Sequence, residues 1–307
     1  MSDLGGGYNG NASLKRLGVE ISYTKDQVAE ILKCSEDPIY FIRTYVKIVN
    51  VDKGLVPFEM WPFQENMVSE FHKNRFSICK MPRQVGKTTT TVGYMLWCIL
   101  FNIDYKIAIL ANKGSLAREI LGRIQYAYEY LPLWLQQGIK TWNKGNLELE
   151  NGSMIYAYAT SASGVRGGTY NLVFLDEFAF VQHNMAQDFF TSTYPVISSG
   201  KTTKVIIVST PNGLNMFYKM WIDAIEGRST YVPLEVHWSQ VPGRDAAWKE
   251  ETIRNTSEEQ FRQEFETEFI GSSATLISGS KLRSLAFHNP LSSNEGFDIY
   301  EIGRAHV

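Results

Sequence analysis

The chain has 307 residues, 44% of them hydrophobic and 20% charged, with a formal net charge of −2 and a pI near 6.2. That suffices for one substantial α/β core with a small accessory subdomain, is too short for two full motor domains, and leaves no overall basic footprint. Any contact with nucleic acid must therefore run through a local patch or a surface shared with partners. The cysteines Cys34, Cys79 and Cys98 are scattered without C-x-x-C spacing and read as reduced thiols. The histidines form no metal-ligand cluster, and the Gly-, Asn- and Ser-rich N-terminus has no apolar run of the secretory kind.

Residues 1–18 read as a disordered tail. From Thr24, a plausible N-cap, TKDQVAEILKCSEDPIYFIRTYVKIV carries apolar residues at helical spacing broken near Pro38, which predicts a helical lead-in over 19–56 belonging to a lid subdomain. The core is expected over 57–226. It opens with PFEMWPFQENMVSEFHKNR, where Phe58, Trp61 and Phe63 crowd around Gln64. A carboxamide donates and accepts at once, so Gln64 is a candidate reader of an adenine edge, although an exposed glutamine on an amphipathic helix would look the same.

Next comes FSICKMPRQVGKTTTTVGYMLWCILF, Phe76 to Phe101: a short strand, a tight loop and a helix without a polar face. Gly86, Lys87 and Thr88 form the G-K-T core of a phosphate-binding loop. Backbone N–H groups at a helix mouth can wrap a polyphosphate only where no side chain intervenes, which is the reading of Gly86. Lys87 supplies a positive charge for the outer phosphates, and the Thr88 hydroxyl can join a Mg²⁺ shell. The pattern is incomplete, with Met81 and Pro82 where a leading glycine is usual. The apolar strand before the loop and the threonines opening the helix after it support the assignment. The apolar segment Val92 to Ile103 is too short to span a bilayer and reads as a core helix.

Tyr105 to Ala111 reads as a buried strand, followed by a helix from Ser115 to Leu131 whose Arg118 and Arg123 fit a solvated face. NLELENGSMIYAYA alternates around Asn151-Gly152 and predicts a hairpin. SASGVRGG then sets Arg166 in a flexible loop, a candidate whose role the residues leave open. The apolar run Leu172 to Leu175 ends in Asp176 and Glu177, at the carboxyl end of a central strand, where open α/β sheets bind ligand. Such a pair can divide the work, Asp176 holding Mg²⁺ and Glu177 orienting and deprotonating an attacking water.

A second buried strand, Lys204 to Val208, ends in Ser209 and Thr210, hydroxyls placed to sense a γ-phosphate, though a plain strand-to-turn junction has the same composition. A helix from Leu214 to Glu226, a strand around Tyr231 to Val236, the loop HWSQVPGRD and two helices across Ala246 to Phe269 follow. Residues 227–285 are expected to form the lid subdomain and 286–300 the start of a linker. Within the phosphate loop, Arg83 could reach the γ-phosphate from the same chain, or could instead pair with a carboxylate and fix the loop.

PRQVGKT, FLDEFAF, VIIVSTPNGLNMFYKMW and FRQEFETEFIGSSATLISGSKL together resemble the large terminase subunit of tailed bacteriophages, most closely its contractile-tailed, myovirus branch, from about Val19 to Leu282. The resemblance implies a DNA-packaging motor ATPase that uses ATP and Mg²⁺. In it Arg83 acts as a finger in cis, Lys87 and Thr88 bind phosphate and Mg²⁺, and Gln84, Gly86 and Thr89 complete the nucleotide contacts. Asp176 is the metal-associated acid, Glu177 the catalytic carboxylate, Gln64 the adenine-motif glutamine, and Ser209-Thr210 the coupling motif. The implied partners are double-stranded DNA, the portal protein and the small terminase subunit, with a homo-oligomeric ring on the portal and no membrane. The implied location is the host bacterial cytoplasm, transiently on the procapsid and outside the finished virion.

The expected fold is a RecA-like P-loop NTPase, a mainly parallel sheet flanked by helices with a small helical lid subdomain. Family members also carry a C-terminal nuclease domain with an acidic metal cluster, and nuclease activity is not predicted for this stretch. The last seven residues, EIGRAHV, match the translation of a common sequencing-library adaptor, so 301–307 is expected to be non-native. A helicase-type motor would require a second motor domain. A scaffold that binds ATP without turnover would have no use for Glu177 beside Asp176.

Overall fold

The computed structural model describes residues 7–160 and 168–270, together with the short strands Ser292–Asn294 and Phe297–Ile299. Two helices, α1 (Lys25–Glu36) and α2 (Pro38–Tyr45), lead through a hairpin of β1 (Lys47–Asn50) and β2 (Gly54–Pro57) into α3 (Pro62–Lys73). Then come β3 (Phe76–Lys80), α4 (Lys87–Phe101), β4 (Lys106–Ala111), α5 (Gly114–Glu129), β5 (Ile139–Trp142), β6 (Asn146–Leu149) and β7 (Met154–Ala159). After these the chain continues through β8 (Leu172–Asp176), α6 (His183–Ser199), β9 (Lys204–Ser209), α7 (Met216–Ile225), β10 (Val232–Glu235), α8 (Ala246–Asn255) and α9 (Glu258–Glu264).

The residue patterns account for these elements. Thr24 caps α1 by accepting from Gln27 N at 3.2 Å, while the Gln27 side chain accepts from Thr24 N at 3.0 Å. Asp37 then caps α2 over Ile39 and Tyr40, with Pro38 opening the helix where its missing N–H costs nothing. Strand β8 is apolar from Leu172 to Leu175 because both of its faces are covered. Leu172 and Phe174 pack into the core under α4 and α5, and Val173 and Leu175 into the core on the opposite side with Phe217 and Trp221 of α7.

The sheet order is β10-β3-β9-β8-β4-β7-β6-β5, parallel from β10 to β7 and antiparallel beyond. The carboxyl ends of β3, β9 and β8 therefore open at one edge of the sheet, with β9 between the other two. Lys80 pairs in register with Ser209, and Asp176 with Val208, so the loops leaving the three strands start side by side. Helix α4 is buried nearly along its whole length, with α2, α3 and α5 around it.

Three expectations need correction. Residues 7–18 are tied to the sheet edge rather than disordered, although most of them are exposed. Leu14 is buried, Lys15 N donates to Gln136 Oε1 at 2.9 Å, and Ile139 N donates to Lys15 O at 3.0 Å, so a polar stretch is held by backbone pairing at the β5 edge. The lead-in belongs to the core, because Phe41 and Ile42 of α2 are fully buried beside α4. The sheet also runs past residue 226, since β10 pairs with β3. Helix α6 went unrecognised in the sequence because Thr, Ser and Pro195 weaken its pattern. The predicted hairpin is present as β6 and β7. The lid expectation over 271–285, the linker over 286–300 apart from its two short strands, the tail 301–307 and Arg166 lie outside the described residues.

Candidate active site

The loop from β3 to α4 is anchored by Met81 and Val85, both fully buried, which explains why an apolar residue stands where a leading glycine is usual. Gly86 ends the loop with φ +72°, a left-handed conformation that costs a side-chain-bearing residue about 1 kcal/mol. A Cβ there would also lie 2.5 Å from Gln64 Nε2. The glycine is thus required by the protein beneath the loop.

Gln64 is that support, tied into the protein through both ends of its carboxamide. It is 3% exposed, its Nε2 donates to Val85 O at 3.0 Å, and its Oε1 accepts from Trp61 N at 2.9 Å. One N–H and one lone pair of the carboxamide thus serve the floor of the loop and the cap of α3.

Lys87 is buried and reaches Glu177 Oε1 at 2.9 Å and Thr210 Oγ1 at 3.3 Å. The other carboxylate oxygen of Glu177 accepts from Thr210 N at 3.2 Å and Ser209 Oγ at 3.4 Å. Glu177 itself has φ +49°, an unfavourable backbone worth about 1–3 kcal/mol that aims its side chain back over the sheet edge. Lys87, Glu177, Ser209 and Thr210, drawn from three separate sequence motifs, thus form one contact group.

Asp176 lies beside it, 9% exposed, with Thr88 Oγ1 at 3.3 Å from Oδ1 and 3.4 Å from Oδ2. Burial, reinforced by the neighbouring Glu177 charge, raises its pKa to about 7, with Lys87 and Thr88 pulling the other way. A buried carboxylate facing a hydroxyl offers the hard oxygen donors that suit Mg²⁺, which needs only one or two protein carboxylates when phosphate and water complete its shell. Among the described residues no cluster of three His, Cys, Asp or Glu side chains offers a self-sufficient metal cage.

Arg83 is not with this group. Its Nε lies 2.5 Å from Glu264 Oε2 of α9, and its backbone N donates to Glu264 O at 2.9 Å. Arg244, from the loop before α8, donates to the carbonyls of Arg83 and Gln84 at 3.2 and 3.3 Å, its guanidinium 4.7 Å above the Trp248 ring. Glu264 and Arg244 went unnoticed in the sequence, because nothing near either motif marks a residue that bonds to a distant loop. Gln84, Gly86, Lys87, Thr88 and Thr89 line one end of a cavity of about 820 Å³, whose far walls are the β1–β2 hairpin and α5. Arg123 lines it too, so the face read as merely solvated borders the site.

Residues 78–284 match the family described as terminase large subunit, T4-like-virus type, N-terminal. The chain belongs to that family. It is 26% identical over 201 residues to the terminase large subunit of Escherichia phage T5, an alignment covering 64% of this chain but 44% of that protein, so it spans less than half of that relative. The fold resembles the large terminase of bacteriophage HK97, with a TM-score of 0.64 and 18% identity over 76% of this chain and 55% of that one. It also resembles the large terminase of a thermophilic bacteriophage solved in complex with ADP, with a TM-score of 0.55 and 14% identity over 68% and 54% of the two chains. The terminase chain thus has the RecA-like fold its sequence resemblance implies, and its phosphate loop, paired acids and Ser209-Thr210 segment converge at one sheet edge.

Proposed function

We propose that this terminase chain hydrolyses ATP with Mg²⁺ and uses the cycle to move double-stranded phage DNA into the procapsid. The observation that carries the reading is the Lys87–Glu177 contact of 2.9 Å beside the half-buried Thr88 and buried Asp176. It brings a phosphate-binding cation, a metal-binding carboxylate and a base within the reach of one triphosphate. The ADP-bound relative from the thermophilic bacteriophage adds support for nucleotide binding at this fold.

In this reading the loop N–H groups and Lys87 hold the β- and γ-phosphates, and Lys87 turns from Glu177 to the nucleotide as it binds. Glu177 Oε1 is then free to orient a water and take its proton, while Oε2 stays fixed by Thr210 N. Thr88 and Asp176 would hold Mg²⁺, which supplies charge neutralisation on the phosphates. Thr210 touches both Lys87 and Glu177, and Ser209 touches Glu177, so the phosphate state is passed to β9 and the elements beyond it. Arg83 serves as a finger in cis once it leaves Glu264.

The same proposal includes a homo-oligomeric ring on the portal protein, a small terminase subunit as partner, and action in the host bacterial cytoplasm without membrane attachment. Phosphate release from Mg·ATP separates it from a non-catalytic assembly module: the motor turns over, and Glu177→Gln stops it. Binding without any release by the unaltered chain would favour the assembly module.

A further inference from the structure

Gln84, two residues before Gly86, has φ +57°, a left-handed conformation that a side-chain-bearing residue keeps only where its surroundings hold it. Both peptide groups flanking it are held from the loop before α8. The Arg83 and Gln84 carbonyls accept from Arg244 Nη2 at 3.2 and 3.3 Å. A peptide unit is planar, so fixing the direction of both carbonyls fixes the two torsions of Gln84 between them. It also fixes the N–H groups of Gln84 and Val85, which point away from those carbonyls across the same peptides. Gln64 holds the next carbonyl, that of Val85, at 3.0 Å from α3, so two side chains fix three successive carbonyls of the loop.

Arg244 is placed for that task rather than for packing. Its guanidinium lies 4.7 Å from the centre of the Trp248 ring and 5.5 Å from that of Phe265, rings that cluster with Trp238 and Phe261 and brace it. Burial lowers its pKa from the ordinary arginine value, and Nη1 is buried with no hydrogen-bond partner among the described residues. An unpaired buried guanidinium nitrogen costs stability, so packing against these rings is no reason for an arginine here. The carbonyl contacts are what its charge supplies.

We infer that Arg244 is a positioning residue for the phosphate loop, holding Gln84 in its left-handed conformation so that the loop N–H groups are set before nucleotide arrives. This rests on the reading that those N–H groups bind the phosphates. Arg244 acts through the loop backbone and touches no reacting atom. Without it Gln84 relaxes to a negative φ, and nucleotide binds only the fraction of loops that remain left-handed, which lowers the apparent affinity by that fraction.

The test is a double-mutant cycle read by calorimetric binding of Mg·ADP. Arg244→Met keeps bulk on the aromatic rings and removes the donors, and is expected to weaken ADP by about 5- to 30-fold. Glycine takes positive φ about as readily as negative, so in the Gln84→Gly background the same substitution should cost only about twofold. Arg244→Lys keeps the charge but not the planar fork, is expected to lose less than Arg244→Met, and supplies the same comparison should Arg244→Met not fold. A residue that served only to pack α8 and α9 would, when replaced, lower the thermal midpoint and leave the ADP affinity of the folded chain unchanged. That result overturns the positioning role, as does a loss of equal size in the two backgrounds. If the unaltered chain binds no ADP, the phosphate-loop reading itself fails and this inference with it.

Discussion

Lys87 Nζ lies 2.9 Å from Glu177 Oε1, across the sheet edge from one motif to another. In the proposed mechanism Lys87 exchanges Glu177 for phosphate when nucleotide arrives. Lys87→Ala is therefore expected to weaken Mg·ADP by about 10- to 100-fold, the worth of a charge-assisted contact. Isothermal titration checks it, and affinity within twofold of the unaltered chain would remove Lys87 from the phosphate site.

Asp176 is held in a place that disfavours its charge. Its pKa of about 7 in the fold lies above that of an unfolded chain, so the carboxyl's contribution to stability is lost as pH rises toward 7. Asp176→Asn should raise the thermal midpoint of the nucleotide-free protein, more at pH 8 than at pH 5, while abolishing the Mg²⁺ dependence of ADP binding. Melting curves across this range give the sign. A destabilised variant at pH 8 would mean that the Asp176 charge is favourable where it sits.

Arg83 and Glu264 form a pair on the rim of the loop, Arg83 being 56% exposed and Glu264 13%. A pair this open is worth about 0–1 kcal/mol, so leaving it is cheap. Arg83→Ala is expected to lower turnover by roughly 10³-fold or more with binding retained. Glu264→Gln should leave turnover at least as fast as in the unaltered chain. Steady-state phosphate release measures both, and an unchanged rate in Arg83→Ala would leave Arg83 a structural tie to α9.

Gln64 is placed as a support beneath Gly86, and its substitution separates that role from base reading. Gln64→Ala should destabilise the fold by about 1–3 kcal/mol, because it removes a cap and leaves Val85 O without its buried donor. Its preference for ATP over GTP should be unchanged. A lost preference with an intact melting temperature would assign base reading to Gln64 instead.

The phosphate loop, the acids at the end of β8 and the hydroxyls at the end of β9 were legible because each combines a local pattern with its place at a strand terminus. Asp176 and Glu177 could be assigned from an apolar run that stops at two charges. The support network was not legible. Gln64 beneath Gly86, Glu264 on Arg83 and Arg244 on the loop carbonyls depend on chain segments meeting in space, which no periodicity encodes. Residues 7–18 misled for a related reason: their composition reads as disordered, and their order comes from backbone hydrogen bonds to Gln136 and Ile139. Arg123 was assigned to solvent from its helix face alone, while the cavity it borders is built by the distant hairpin.

The account stands on Glu177 acting as the base at a site that binds nucleotide without it. The direct measurement is paired ADP binding and phosphate release from Mg·ATP for Glu177→Gln beside the unaltered chain. Affinity close to that of the unaltered chain, with release lowered by roughly 10²- to 10⁴-fold, is the expected result. Release at the rate of the unaltered chain in that variant would contradict the account.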